Sequence, residues 1–260
     1  MTAWAGMPWN EPAPRSSETG TGQRCHDGSM MPCTPRDIAK MIDHSLLRPE
    51  LTPADIVSGC KIARRYDTAT VCCTPSDVVL CRRELAGSDV KVASVVGFPH
   101  GYSTTAAKVF EAERAIADGA HELDMVLHIG RLIAEDRDYV RQDVQAVVQV
   151  AHRAGVRVKV ILENCYLNDA QKVLGCQLCE EAGADWVKTS TGFAKGGANY
   201  EDLALMRRTV SAKVQVKAAG GVRDLDAALK VRELGCTRFG ATATVAIMEE
   251  AYRRAGQKAT

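Results

Sequence analysis

Residues 156–190 read VRVKVILENCYLNDAQKVLGCQLCEEAGADWVKTS. A β-branched run over 157–162 gives way to a helical pattern over 168–182. That pattern stops at Gly183, the residue type that most readily takes the left-handed conformation closing a helix. A second apolar run follows at 185–189. Strand, helix and strand within about 35 residues make one βαβ unit, whose crossover leaves the two strands parallel.

The unit repeats on both sides. Strand candidates precede it at 42–45, 69–73, 91–96 and 122–127, and follow it at 214–217 and 237–240. Helical patterns fall between them at 53–66, 75–85, 104–118, 138–153, 200–210 and 225–233, with a last one over 244–254. Gly119, Gly155 and Gly235 each stand just past a helix end, as Gly183 does. Eight strands, each followed by a helix, in about 225 residues fit an α/β fold of the parallel eight-stranded (β/α)8 TIM-barrel type. The rival is a doubly wound open sheet, which normally carries a glycine-rich dinucleotide turn after its first strand. Here that strand runs into Leu47-Arg48-Pro49, and the barrel is favoured.

Composition removes several function classes. With 33 Lys+Arg against 32 Asp+Glu the net charge is +1, which gives no electrostatic case for nucleic acid or a polybasic membrane anchor. No run of about 18 apolar residues is present to cross a bilayer as a helix. The ten cysteines do not read as a disulfide framework: Cys72 and Cys73 are adjacent, and Cys60, Cys81, Cys176 and Cys179 fall in helical stretches. Cys176 and Cys179 form a lone CxxC without a partner pair, so no metal is expected. Small buried thiols in a reducing cytoplasm are the expectation. Residues 1–34, rich in Pro and Gly and without sustained periodicity, read as a disordered extension ahead of a barrel domain at 35–260. They match neither a secretory signal nor an Arg-rich transit peptide.

Barrel chemistry sits at the C-terminal ends of the strands. Pleat alternation places Asp124, Glu163, Lys188 and Lys217 inward there. Two converging lysines in a low-dielectric barrel disfavour each other's charge, which can pull one pKa from about 10.4 toward about 7. A neutral amine is what a Schiff-base nucleophile needs. The competing reading is a lysine pair neutralised by Asp124 and Glu163. Lys159 is inward too, nearer the strand start, where burial against Glu122 gives it a structural role. The loops after strands seven and eight carry Gly220-Gly221 and Gly240-Ala241-Thr242, turns whose backbone N–H groups and following helix starts suit a phosphate. Barrel, amine, carboxylate and phosphate cradle together point to Schiff-base carbon–carbon chemistry on a phosphorylated sugar.

At Val187-Lys188-Thr189-Ser190-Thr191-Gly192-Phe193 the chain resembles the deoxyribose-phosphate aldolases. So do Ile42-Asp43-His44, Leu46-Leu47-Arg48-Pro49, Val95-Val96-Gly97-Phe98-Pro99, Glu122-Leu123-Asp124-Met125-Val126 and the segment from Val216 through Lys217, Gly220 and Gly221 to Arg223. The likeness runs from about residue 38 to 249. It implies a class I aldolase, free of metal and cofactor, in deoxyribose phosphate catabolism. Such an enzyme reversibly cleaves 2-deoxy-D-ribose 5-phosphate to acetaldehyde and D-glyceraldehyde 3-phosphate. By the resemblance Lys188 forms the imine, Lys217 lowers the pKa of Lys188 and relays protons, and Asp124 is the general acid/base, through an ordered water. The protonated imine then lets the C3–C4 bond break to an enamine. Asp43, at the end of strand one, would hold Lys217, and Gly192, Gly220, Gly221 and Thr242 would hold the phosphate.

Cys72 matches a cysteine beside the family's substrate pocket, where it is either a core thiol or a group sensitive to excess aldehyde. Thr191 either orients the lysine or caps its loop. The chain departs from the family pattern at Cys73-Thr74, at Asn164-Cys165 after Glu163, and at Ala243, where members often carry a second small hydroxyl. Some members finish in a flexible tyrosine that helps proton transfer; the last residues here are Gln257-Lys258-Ala259-Thr260. The expected partners are a small-molecule sugar phosphate and an aldehyde, with no nucleic acid and no membrane, and the expected assembly is a homo-oligomer, a dimer first. Another Schiff-base sugar-phosphate aldolase or transaldolase, an imine-free isomerase, and a non-catalytic sugar-phosphate-binding barrel remain as alternatives.

Overall fold

The computed structural model describes residues 33–258. The extension expected over 1–34 therefore lies, up to residue 32, outside the described residues. Cys33 is buried in the apolar core, and the Thr34 side chain caps a first helix, α1 (Pro35–Ala39).

Eight strands follow: β1 (Ile42–Leu46), β2 (Thr70–Cys73), β3 (Lys91–Val96), β4 (Glu122–Val126), β5 (Arg157–Ile161), β6 (Trp186–Lys188), β7 (Gln215–Ala219) and β8 (Arg238–Ala241). Each pairs in parallel with the next, and β8 closes on β1 with Asp43 opposite Gly240. The helices between them are α2 (Pro53–Tyr66), α3 (Val78–Glu84), α4 (Thr105–Asp118), α5 (Ile129–Ile133), α6 (Arg137–Arg153), α7 (Asp169–Glu181), α8 (Tyr200–Thr209) and α9 (Leu225–Glu233), with α10 (Thr244–Arg254) after β8. The closed parallel barrel is the expected one, and most element bounds fall within two residues of the sequence reading.

The helix boundaries have local causes. Thr52 accepts from the Asp55 N–H while Asp55 reaches back to the Thr52 N–H, with Pro53 opening the helix, so α2 starts in a closed capping box. Gly119, at φ 106°, closes α4 in the left-handed region. On α6, Val140, Val144, Val147 and Ala151 recur on one face and are buried against the sheet. The expected helix over 75–85 is split: a 3-10 turn at Pro75–Asp77 precedes α3, and Thr74 Oγ1 donates to Asp77 Oδ2 at 2.7 Å across it. Three short pieces carry too little periodicity to be read in advance: α1, α5 and a 3-10 turn at Asn164–Tyr166.

The core lies outside the barrel wall. Val71, Val92, Leu123, Val158, Val187, Val216 and Phe239 point from the strands into the helix layer and form one apolar cluster with it. Cys60, Cys81, Cys176 and Cys179 are buried in that layer as free thiols. The interior departs from the stacked branched side chains usual in this fold. It holds Asp43, Glu122, Asp124, Lys159, Lys188, Lys217 and Arg238, all buried, above a buried Trp186.

Candidate active site

Register brings the lysines together. Lys188 on β6 lies directly beside Lys217 on β7, and Asp124 on β4 beside Lys159 on β5. Asp124 Oδ2 accepts from Lys188 Nζ and from Lys217 Nζ, each at 2.7 Å, while its Oδ1 accepts from Lys159 Nζ at 2.9 Å. Asp43 Oδ2 accepts from Lys217 Nζ at 2.5 Å. Asp43 is the second residue of β1, not at the strand end as expected, and it reaches Lys217 because both side chains point into the interior.

One carboxylate shared by three amines cannot hold them all equally. Burial, with the Lys217 ammonium beside it, pulls the Lys188 amine below the ordinary lysine value against the pull of Asp124. Burial acts on Lys217 as well, but Asp124 and Asp43 together outweigh it and push its pKa up. Lys159, also buried, is pushed up by Asp124, Asp43 and Glu122. Asp124 is itself buried, yet the three amines hold its carboxyl well below the usual carboxylate range. Lys188 is thus the amine most easily found neutral. Burial, reinforced by Asp124, pushes the Cys72 thiol up to about 11, so Cys72 is no thiolate near neutral pH.

Above the lysines opens a cavity of about 320 Å³, the size of a small-ligand site. Asp43, Cys72, Lys188 and Lys217 reach its floor; Thr191, Gly192, Gly220, Gly221 and Thr242 line its wall. The residues to which the resemblance gives a role are gathered here, with Asp124 buried directly beneath the two lysines. Gly220, at φ 78°, is held where any Cβ would come within 2.9 Å of Gly197, because Ala198 N–H donates to the Ala219 and Gly220 carbonyls and draws the two loops together. Asp224 caps α9 with its own carboxylate, whereas α10 starts two residues after Thr242 with no side-chain cap, leaving its first N–H groups free for an anion.

Glu163 is not where alternation placed it. It follows the end of β5 at φ 57°, which breaks the pleat, and it accepts from both the N–H and the hydroxyl of Thr191. It fixes the loop after β6 and does not neutralise the lysines. The sequence reading also passed over Arg48, Phe193 and Arg223 at the cavity mouth, and Arg238 below it. Phe193 meets Phe98 edge-on, ring centres 5.3 Å apart, at the rim. The signal for Arg238 was present: it shares pleat parity with Gly240 on one strand.

The family model for the DeoC/LacD family aldolases matches residues 38–244. The chain belongs to this aldolase family. A deoxyribose-phosphate aldolase of Rhodopirellula baltica is 49% identical over 223 residues, covering 86% of this chain and 92% of the relative. One of Thermococcus gammatolerans is 51% identical over 217 residues, covering 83% and 96%. Among solved structures, the tetrameric deoxyribose phosphate aldolase of Aeropyrum pernix superposes with a TM-score of 0.78 at 31% identity, covering 84% of this chain and 92% of that one. The matched segment of this DeoC/LacD aldolase contains every strand and every residue of the lysine–carboxylate cluster.

Proposed function

We propose that the chain is a class I deoxyribose-phosphate aldolase, cleaving 2-deoxy-D-ribose 5-phosphate reversibly to acetaldehyde and D-glyceraldehyde 3-phosphate. The observation that carries this reading is a buried lysine, Lys188, poised to be neutral at the floor of a cavity whose wall is a glycine cradle. Its relatives' shared name supplies the substrate.

The Lys188 amine adds to the C1 aldehyde of the open-chain sugar, and water leaves to give a protonated imine. Asp124 and Lys217, already hydrogen-bonded to each other, form the relay that takes the proton from the C3 hydroxyl. Electrons of the breaking bond flow into the imine, leaving an enamine over C1 and C2 while C3 becomes the aldehyde of glyceraldehyde 3-phosphate. Carbon counting corrects the bond expected earlier: acetaldehyde takes C1 and C2, so C2–C3 breaks, not C3–C4. The relay then protonates C2, and hydrolysis of the imine returns the free amine. Asp43 keeps Lys217 charged and in place. Gly192, Gly220, Gly221 and Thr242, with the uncapped start of α10, bind the phosphate, and Arg48 and Arg223 at the mouth add positive charge.

No step in this route needs a metal, so activity is expected to survive strong chelation. Exposed Phe110 on α4 and Tyr102 ahead of it offer apolar surface for a homo-oligomer, a dimer first. No helix among the described residues is long and apolar enough to cross a membrane. Free buried thiols fit a cytoplasmic setting.

Borohydride reduction in the presence of acetaldehyde, followed by peptide mass mapping, tests the reading. An ethyl group on Lys188 is expected. Folded protein without that adduct would remove the imine mechanism.

A further inference from the structure

Below the reacting groups, the barrel floor is a closed set of charges. Arg238 on β8 spans two carboxylates: its Nη1 lies 2.6 Å from Asp43 Oδ1, and its Nη2 lies 2.9 Å from Glu122 Oε1. Glu122 in turn meets Lys159 Nζ at 2.5 Å. Trp186 seals the set from beneath, its ring 5.5 Å from both the Arg238 guanidinium and the Lys159 ammonium. Asp43, Glu122, Asp124, Lys159 and Lys217 are at most 1% exposed, and Arg238 is 9% exposed, so bulk water does little to screen any of them.

The signs balance in a specific way. Three carboxylates, Asp43, Glu122 and Asp124, are matched by three cations, Lys159, Lys217 and Arg238. Lys188 is the remaining ionisable side chain of the cluster. The other groups near it do not alter the count. Cys72 is a neutral thiol, and Glu163 forms no ion pair with the cluster among the described residues, its carboxylate being held on the loop after β6 by the Thr191 N–H and hydroxyl. Arg48 and Arg223 stand exposed at the mouth, and the Arg157 side chain, 48% exposed, meets Glu122 from the solvent side. A fourth buried cation would have no carboxylate of its own, and an unmatched buried charge is costly.

We infer that Arg238 and Glu122 are positioning residues that set the protonation of Lys188 from the barrel floor, the interior being neutral only while Lys188 carries no proton. This rests on the reading of Lys188 as the imine-forming amine. Neither residue touches the cavity; each acts through Asp43, Lys159 and the field they share. Removing the Arg238 charge leaves an excess negative charge that protonation of Lys188 relieves. Removing the Glu122 charge leaves an excess positive charge that opposes protonation. The two changes act on the same spot of the fold and drive Lys188 in opposite directions, which loss of packing alone would not do.

The test follows the rate of N-ethylation of Lys188 by acetaldehyde and cyanoborohydride between pH 5 and 10, read by mass spectrometry. The reagent's own pH dependence is common to all the proteins compared. Arg238→Met is expected to move the acid-side midpoint up by about one pH unit and Glu122→Gln to move it down by a similar amount. Arg238→Lys, which keeps the charge, is expected to stay near the parent. Midpoints that coincide with the parent, or that move the same way in both variants, would overturn the inference. If Arg238→Met does not fold, Glu122→Gln decides: a lower midpoint supports it, an unchanged or higher one overturns it. Absence of any Lys188 adduct in the parent protein would overturn the imine reading itself, a result distinct from unshifted midpoints.

Discussion

Lys217 Nζ stands 2.5 Å from Asp43 Oδ2, reaching across the interior from β7 to β1 with β8 between the two strands. This contact makes the two lysines unequal. Both share Asp124, but Lys217 has a second carboxylate, whereas Asp124 is the one carboxylate that Lys188 meets among the described residues. Two adjacent amines in one dielectric would otherwise divide a proton between them. With Asp43 in place the proton stays on Lys217, and Lys188 is the amine left for the proposed attack.

Asp43→Asn should therefore change the pH profile as well as the rate. Lys217 is held above its ordinary pKa in the folded protein, and without Asp43 burial would pull it down. The alkaline limb of kcat is expected to move to lower pH, with kcat near neutrality down about 10- to 100-fold. A pH–rate series on the purified variant measures this. An alkaline limb in its original place would show that Lys217 does not depend on Asp43 for its charge.

Lys188→Leu should lose turnover by at least about four orders of magnitude, because no neighbour can replace a covalent nucleophile. Lys217 is the other amine at the cavity floor among the described residues, and its two carboxylates keep it protonated. The barrel should remain folded, since leucine removes a desolvated amine and leaves the charge set beneath it neutral. Circular dichroism and a thermal melt alongside the assay separate the two effects. Parent-level activity in this variant would end the proposed mechanism.

Much of this site was legible because pleat parity is a rigid rule within a strand. Asp124, Lys188 and Lys217 all lie inside regular strands, and alternation alone put them on one interior face. Glu163 was misplaced because it lies just past β5, where a left-handed residue ends the alternation that parity relies on. Asp43 was assigned to a strand end although it is the second residue of β1; what brings it to Lys217 is the inward direction its side chain shares with that lysine across the barrel. The role of Arg238 needed the closed barrel itself. Its partners Asp43 and Glu122 lie 195 and 116 residues away, and nothing local in the sequence pairs them. The short α5 and the 3-10 turn at Asn164–Tyr166 span too few residues to express a period.

Glu163→Ala should weaken phosphate-ester binding more than chemistry. Glu163 holds the Thr191 N–H and hydroxyl, and Gly192 follows directly in the cavity wall. Truncation leaves that buried N–H unpaired and the loop free to move, a loss of about 1–3 kcal/mol. If the cost falls on the bound complex, KM for the sugar phosphate rises about tenfold with kcat changed less. Steady-state kinetics give the split. An unaltered KM with a collapsed kcat would instead place Glu163 in the proton relay.

Acid stability should depend on His44. The ring sits on the outer face of β1, 4% exposed, with Nδ1 2.8 Å from Thr244 Oγ1 at the start of α10 and Nε2 buried without a partner among the described residues. Burial pushes its pKa down to about 4, against about 6.5 for the unfolded chain. The unfolded state therefore takes up the proton first as pH falls. Stability is full above about pH 6.5, declines from there to about pH 4, and loses nothing further from this group below that. The gap corresponds to roughly 3 kcal/mol. Asp43 and Asp124, held at lower pKa values by their amines, do not yet titrate in that window. His121, half-buried and also pulled down by burial, contributes a share that both proteins keep. Urea unfolding at pH 7.5 and pH 4.5 should show His44→Asn losing about 2–3 kcal/mol less than the parent between the two, whatever its stability at the higher pH. Equal losses would mean that the neutral ring of His44 is not what acid attacks.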